Sequence, residues 1–205
     1  MATPAVGNII KSGAVLWYAP TGTTAPDTDD IAFDEAWGGD WVRVGFTKEP
    51  LTLAYESEES DINVQETLAP VKRWRISENL TLETVLSELT ADYLQLAASE
   101  QDGVSETAAD GDTKAFEQTG LGGVAELTER EWGFEGLFID TSGVDQPVRV
   151  FVHKGTAMIN GNLEFSKKTD DYVGVPIQIK AIADTSQSAG EELALFQRIT
   201  ANITA

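Results

Sequence analysis

LTLAYESE (51–58), ESDINVQETLAPV (59–71), RWRISENLTLETVL (73–86) and SELTADYLQLAAS (87–99) read as strand, long polar loop, strand and helix. The cleanest alternation in the chain lies in 76–86. Ile76, Leu80, Leu82 and Leu86 fall on one face, and Ser77, Asn79, Thr81 and Glu83 on the other. A period of two with one apolar and one polar face marks a half-buried strand in an antiparallel sheet. Glu78 interrupts the apolar side. In the helix, Leu89, Tyr93, Leu96 and Ala97 recur at spacings of three and four, which makes one apolar stripe. Thr90 is placed to cap its N-terminus and Asp92 to complement the helix dipole. Nothing in 51–99 has the form of a catalytic motif, and two strands flanking a long loop suit contact with a neighbour.

The remaining apolar runs also alternate. GAVLWYAP (13–20) and DWVRVGFT (40–47) read as short strands. TEREWGFEGLFID (128–140) sets Trp132, Phe134 and Phe138 against Glu131, Gly133 and Glu135. QPVRVFVHK (146–154), TAMINGNLEFS (156–166) and YVGVPIQIKAIAD (172–184) alternate in the same way. These runs predict about eight strands. The fold class expected is mainly β: a β-sandwich or barrel flanked by one α-helix, with long loops and terminal arms. The 205 residues suit a single domain spanning 1–205. Its parts are an N-terminal arm (1–12), an insertion rich in Gly, Asp, Thr and Pro (20–40), the long loop (57–72), the helix (87–99), a second insertion (99–127) and a C-terminal arm or short helix (185–205).

Composition excludes several function classes. The chain has 14 Lys+Arg against 34 Asp+Glu, a net charge of −20. Gripping nucleic acid needs cations to neutralise phosphates, and so does binding an anionic membrane surface. With no cysteine, disulfides and thiolate metal sites are ruled out. MATPAVGNIIKSGAVLW lacks the apolar core of a signal peptide, and no run approaches the ~20 apolar residues that span a bilayer. A soluble protein made in a cytoplasm is expected.

No chemistry emerges from the motifs. The single histidine, His153, lies at a strand end without a nucleophile elbow. DTDD (27–30) and DGD (110–112) crowd carboxylates, but neither supplies the fuller ligand set of a calcium loop. GLGG (120–123) lacks the Lys-Ser/Thr of a phosphate loop. No catalytic residue, metal ligand or cofactor is therefore assigned. The five tryptophans read as core or interface anchors rather than a sugar-binding platform, with Trp37 the least certain because it sits among acidic and glycine-rich loop residues.

Taken in order, five segments resemble the tail tube (major tail) proteins of long-tailed bacteriophages. They are GAVLWYAPTGTTAP, WVRVGFTKEPLTLAYESEESDI, QETLAPVKRW, ISENLTLETVLSELTADYLQLA and YVGVPIQIKAIADTS. The resemblance implies a non-enzymatic virion protein, made in the host cytoplasm and built into the phage tail. Six copies would form a ring whose sheets join into one β-barrel, and rings would stack into a tube that conducts DNA. Its partners would be other copies of itself, the tape measure protein, the tail terminator and the tail tip proteins, with no membrane. In the family the long loop reaches the adjacent ring; here Glu59, Asp61, Ile62, Val64, Glu66 and Leu68 would carry that contact. If the flanking strands line the channel, period-two geometry turns Glu56, Glu58, Asn79 and Glu83 toward it, and by the same alternation Glu135 and Glu164. The alternatives are a tail terminator, a secretion-system-type tube protein, or a carbohydrate-binding β-sandwich. The long loop and the insertions speak against the secretion relative.

Overall fold

The structure, a computed structural model, describes residues 10–26, 31–100, 103–111, 114–123, 125–139, 143–163, 165 and 173–199. Among them are β1 (Ile10–Pro20), β2 (Val42–Arg43), β3 (Thr52–Ile62), β4 (Lys72–Leu86), α1 (Ala91–Ala98), β5 (Ser105–Thr107), β6 (Phe116–Gln118), β7 (Arg130–Ile139), β8 (Asp145–Ile159), β9 (Val175–Ala181) and β10 (Ala194–Arg198). Eight strands make one antiparallel sheet in the order β2-β1-β7-β8-β9-β4-β3, with β10 beside β8; β5 and β6 form a separate small hairpin. The expected class, mainly β with one helix, is the class observed.

The apolar faces of the strands meet on one side of this sheet. Leu82, Ile179 and Ala157 are neighbours across β4, β9 and β8, and Trp132 and Val152 across β7 and β8. Leu96 and Ala97 of α1 pack onto them in one buried cluster. The helix starts where the sequence suggests: the Thr90 hydroxyl accepts the Tyr93 N–H at 3.2 Å, and Asp92 lies in the first turn. It ends at Ser99 in the left-handed conformation, with φ 48°. Ser99 also accepts the Ala157 N–H on its hydroxyl and the Thr128 N–H on its carbonyl, at 2.6 and 2.8 Å. The second insertion therefore leaves and rejoins the domain at one point. It is not all loop, because β5 and β6 pair within it.

Other boundaries move for identifiable reasons. The run 146–154 and the start of the run 156–166 are one strand, β8, which ends at Ile159. Gly155 does not break it: a Cβ there would lie 3.0 Å from the Lys180 carbonyl, so glycine allows the close approach of β9. The C-terminal segment, expected as an arm or short helix, forms β10 on β8. The strand expected at 40–47 shrinks to Val42–Arg43 plus a bridge between Thr47 and Leu86. Of the terminal arms, residues 1–9 and 200–205 lie outside the described residues.

The opposite side of the sheet is half covered. Over β1, β7 and β8 the first insertion folds back, and Trp37 stacks on Trp17 with centroids 5.0 Å apart. Trp41 and Phe151 complete this second core. Gly133 makes it possible, since a Cβ there would come within 2.3 Å of the Trp37 ring. Trp37 is thus a core residue, 3% exposed. Beneath the insertion lies a buried ion pair: Arg149 Nε to Glu135 Oε1 at 2.8 Å, with both side chains almost inaccessible. Glu135 accepts the Asp34 N–H at 2.8 Å, and Arg149 Nη2 donates to the Ile31 carbonyl at 2.7 Å. Burial raises the Glu135 pKa, while the Asp34 N–H and the Arg149 guanidinium pull it back. The pair pins residues 31–34 to the sheet.

Removing one partner of a buried pair strands the other charge, at a cost of about 3–5 kcal/mol. Glu135→Ala is therefore expected to lower stability by that order in a denaturant titration and to open 21–41 to proteases; a variant as stable and resistant as the wild type would show that the pair is not the pin. Glu131 gives a pH prediction. It is buried on the same face, accepts the Gly22 N–H at 2.9 Å, and has a pKa raised to about 7, chiefly by burial and secondarily by Asp184. A carboxyl with a raised folded-state pKa contributes full stability below its ordinary value and loses it as pH climbs through 7. Glu131→Gln keeps the acceptor and should melt above wild type at pH 8.5, with the gap closing as pH falls toward 4.5; a gap independent of pH would contradict this.

Candidate assembly surface

β4 divides into two parts at Leu80. From Thr81 to Leu86 it pairs with β9 on one side, and up to Glu83 also with β3 on the other. Before Thr81 it pairs with β3 alone, so the β3–β4 hairpin leaves the sheet as a two-stranded ribbon. Residues 52–79 are all exposed. At about 3.3 Å per residue the strand from Leu80 out to Lys72 projects roughly 25–30 Å. Of the loop expected over 57–72, residues 57–62 belong to β3 and Lys72 to β4, and 63–71 form the turn between them. Glu59, Asp61 and Ile62 sit on β3, while Val64, Glu66 and Leu68 sit at the tip; all six are exposed.

A lone two-stranded ribbon is marginal in water, so its cross-strand pairs matter. A bulge between Glu58 and Glu59 resets the register, opposing Glu59 to Arg75 and Asp61 to Arg73. Arg73 Nε lies 2.7 Å from Asp61 and 3.5 Å from Glu59, and Arg75 pairs with Glu78. The Arg73 hydrogen bond lowers the Asp61 pKa, and the Arg75 hydrogen bond lowers that of Glu78. This explains Glu78 on an otherwise apolar side: beyond Leu80 that side carries an ion ladder instead of a core. On the other face Lys72 stands 3.9 Å over the Trp74 ring. Val71 N–H donates to the Ile62 carbonyl at 2.9 Å and closes the turn. Leu68 projects fully into solvent.

The sheet face opposite the helix, left open beyond the first insertion, is polar. Across β3 and β4 the rungs are Thr52 with Glu83, Ala54 with Thr81, Glu56 with Asn79 and Glu58 with Ser77. β9 adds Gln178 beside Glu83 and Lys180 beside Thr81. Glu83 accepts from Gln178 and, at 3.3 Å, from Asn160. Ser77 donates to Glu58 at 3.4 Å. Glu56, Glu58, Asn79 and Glu83 thus share one exposed face, as their spacing predicts. Glu135 does not join them, because it is buried under the first insertion with Arg149. Glu164 lies outside the described residues.

The sequence reading gave no role to Lys72, Arg73 and Arg75, although KRWR concentrates three of the chain's 14 basic residues in four positions, and took Trp74 only as one of five core or interface anchors. Four of the five tryptophans are buried, which leaves only Trp74 exposed and no aromatic platform. His153 lies on β8 with its pKa lowered by burial. Among the described residues no group of three His, Asp or Glu side chains could hold a metal. No described helix is long and apolar enough to cross a membrane.

No curated protein matches the chain. A family model described as "Phage tail tube protein" matches residues 1–196, nearly the whole length and every described strand up to Ala194–Phe196 of β10. That family is a structural one and not an enzyme family. A mainly β domain carrying a projecting hairpin, matched along its length in this way, belongs to the phage tail tube proteins.

Proposed function

We propose that this subunit assembles into hexameric rings that stack into the tail tube, with the β3–β4 hairpin bridging one ring to the next. The observation that carries the reading is the hairpin itself: residues 52–79 are exposed on both faces while held in register by the cross-strand ion pairs of Arg73 with Glu59 and Asp61. Open strand edges and unpartnered faces invite pairing with another chain. A heterologous contact that closes makes a ring, and one that repeats along an axis makes a filament. The polar face bearing Glu56, Glu58, Asn79 and Glu83 would line the channel. With a net charge of −20 behind it, that face repels phosphates and lets DNA pass without adhering. The tape measure, terminator and tip proteins would meet the tube inside and at its two ends, and the finished assembly would reside in the virion.

The test is to shorten the hairpin. Replacing residues 59–76 with Asn-Gly joins the Glu58–Ser77 rung by a two-residue turn. The shortened protein should keep its melting temperature within a few degrees, because the removed residues are exposed, and should sediment as monomers or single rings. Long tubes formed as readily as by the wild type would sink the bridging role.

A further inference from the structure

We propose that the outer end of the hairpin docks on the second insertion of another copy, Lys72 and Trp74 entering the groove formed by β5 and β6. This rests on the tube reading and names the surface that receives the hairpin. The argument is charge complementarity on a chain whose copies otherwise repel. Over 62–77 there are three cations, Lys72, Arg73 and Arg75, against one acid, Glu66. Arg73 and Arg75 are engaged with Asp61, Glu59 and Glu78 on one face. On the other face the two outer rungs are Ser60 with Trp74 and Ile62 with Lys72. Those rungs hold no carboxylate, so Lys72, Trp74 and Ile62 form a cationic, aromatic patch.

The second insertion has the opposite character. Residues 99–127 contain seven acids and one base, Lys114. Glu106 and Glu117 stand directly opposite each other on β5 and β6. Like charges on one rung destabilise a hairpin unless a cation lies between them. Glu117 also accepts the Ala91 N–H, at a long 3.4 Å. Beside the pair, Phe116 is 47% exposed at a groove of about 600 Å³ that Glu106, Thr107, Ala108, Ala115 and Glu117 complete. An ammonium between the two carboxylates supplies the cation that this hairpin lacks alone, while the Trp74 indole covers the rim of the groove. Each copy carries both halves of the contact, so the interface repeats from copy to copy.

The chain has no cysteine, so introduced ones report unambiguously. Val71→Cys and Ala109→Cys flank the two surfaces without altering the proposed contacts. Mixed, allowed to form tubes and treated with a short bis-maleimide, they should yield a cross-linked dimer that neither variant gives by itself. Separately, Lys72→Glu should cut tube yield about tenfold, a loss of ~1.4 kcal/mol, and Glu106→Lys in the same chain should restore most of it. Tubes without the cross-link, or a Lys72→Glu protein that assembles like the wild type, would overturn the docking site and leave the tube reading standing. A wild-type protein that makes no tubes would overturn both.

Discussion

Everything outside the core depends on how β4 is shared between two environments. Its C-terminal half is a central strand, held by β9 and β3, with Leu82 and Leu86 under the helix. Its N-terminal half has a partner on one side only and no apolar layer beneath it. One strand therefore transmits the rigidity of a packed sheet to a ribbon that the domain itself does not support. The ion pairs of Arg73 with Glu59 and Asp61 keep that ribbon in register, and Arg75 pairs with Glu78 along β4. Exposed ion pairs are individually weak, so their value here lies in orientation: they choose which face is which. In the proposed tube a neighbour would supply what the ladder cannot, namely burial.

The rest of the domain frees that hairpin for the role. Each side of the sheet has its own cover. The helix closes one, and the first insertion, pinned by Glu135 and Arg149 and by the stacked Trp17 and Trp37, closes half of the other. What stays open is the polar half around Glu56, Glu58 and Glu83. A surface dominated by carboxylates keeps copies apart in solution except where charge is balanced or reversed, and the hairpin end is such a place. In the proposed tube acidity would act twice, steering copies to one mode of contact and leaving a face that a polyanion does not wet.

Local signals were legible in the sequence. The alternation in 76–86, the Thr90 cap, the helix stripe and the mainly β class all depend on residues within a few positions of one another. The shared face of Glu56, Glu58, Asn79 and Glu83 follows from strand geometry alone. Long-range cover was not legible. Glu131 and Glu135 alternate like solvent-facing acids, and only the insertion about a hundred residues earlier buries them. The runs on either side of Gly155 read as separate because the β9 backbone, which that glycine lets approach, lies elsewhere in the chain. The hairpin looked like a loop because strand residues that pair with no core carry polar side chains on both faces. KRWR is an exception to an overall charge of −20, but nothing local shows that Arg73 pairs back across the ribbon while Trp74 stays exposed.

Electron cryo-microscopy of the purified protein allowed to assemble by itself tests the central claim most directly. The account predicts tubes of stacked rings in which the β3–β4 hairpin of each subunit crosses to the next ring, with Glu56, Glu58 and Glu83 facing the channel. Tubes whose hairpins fold back on their own subunit, or a protein that stays monomeric at every concentration and ionic strength, would contradict it.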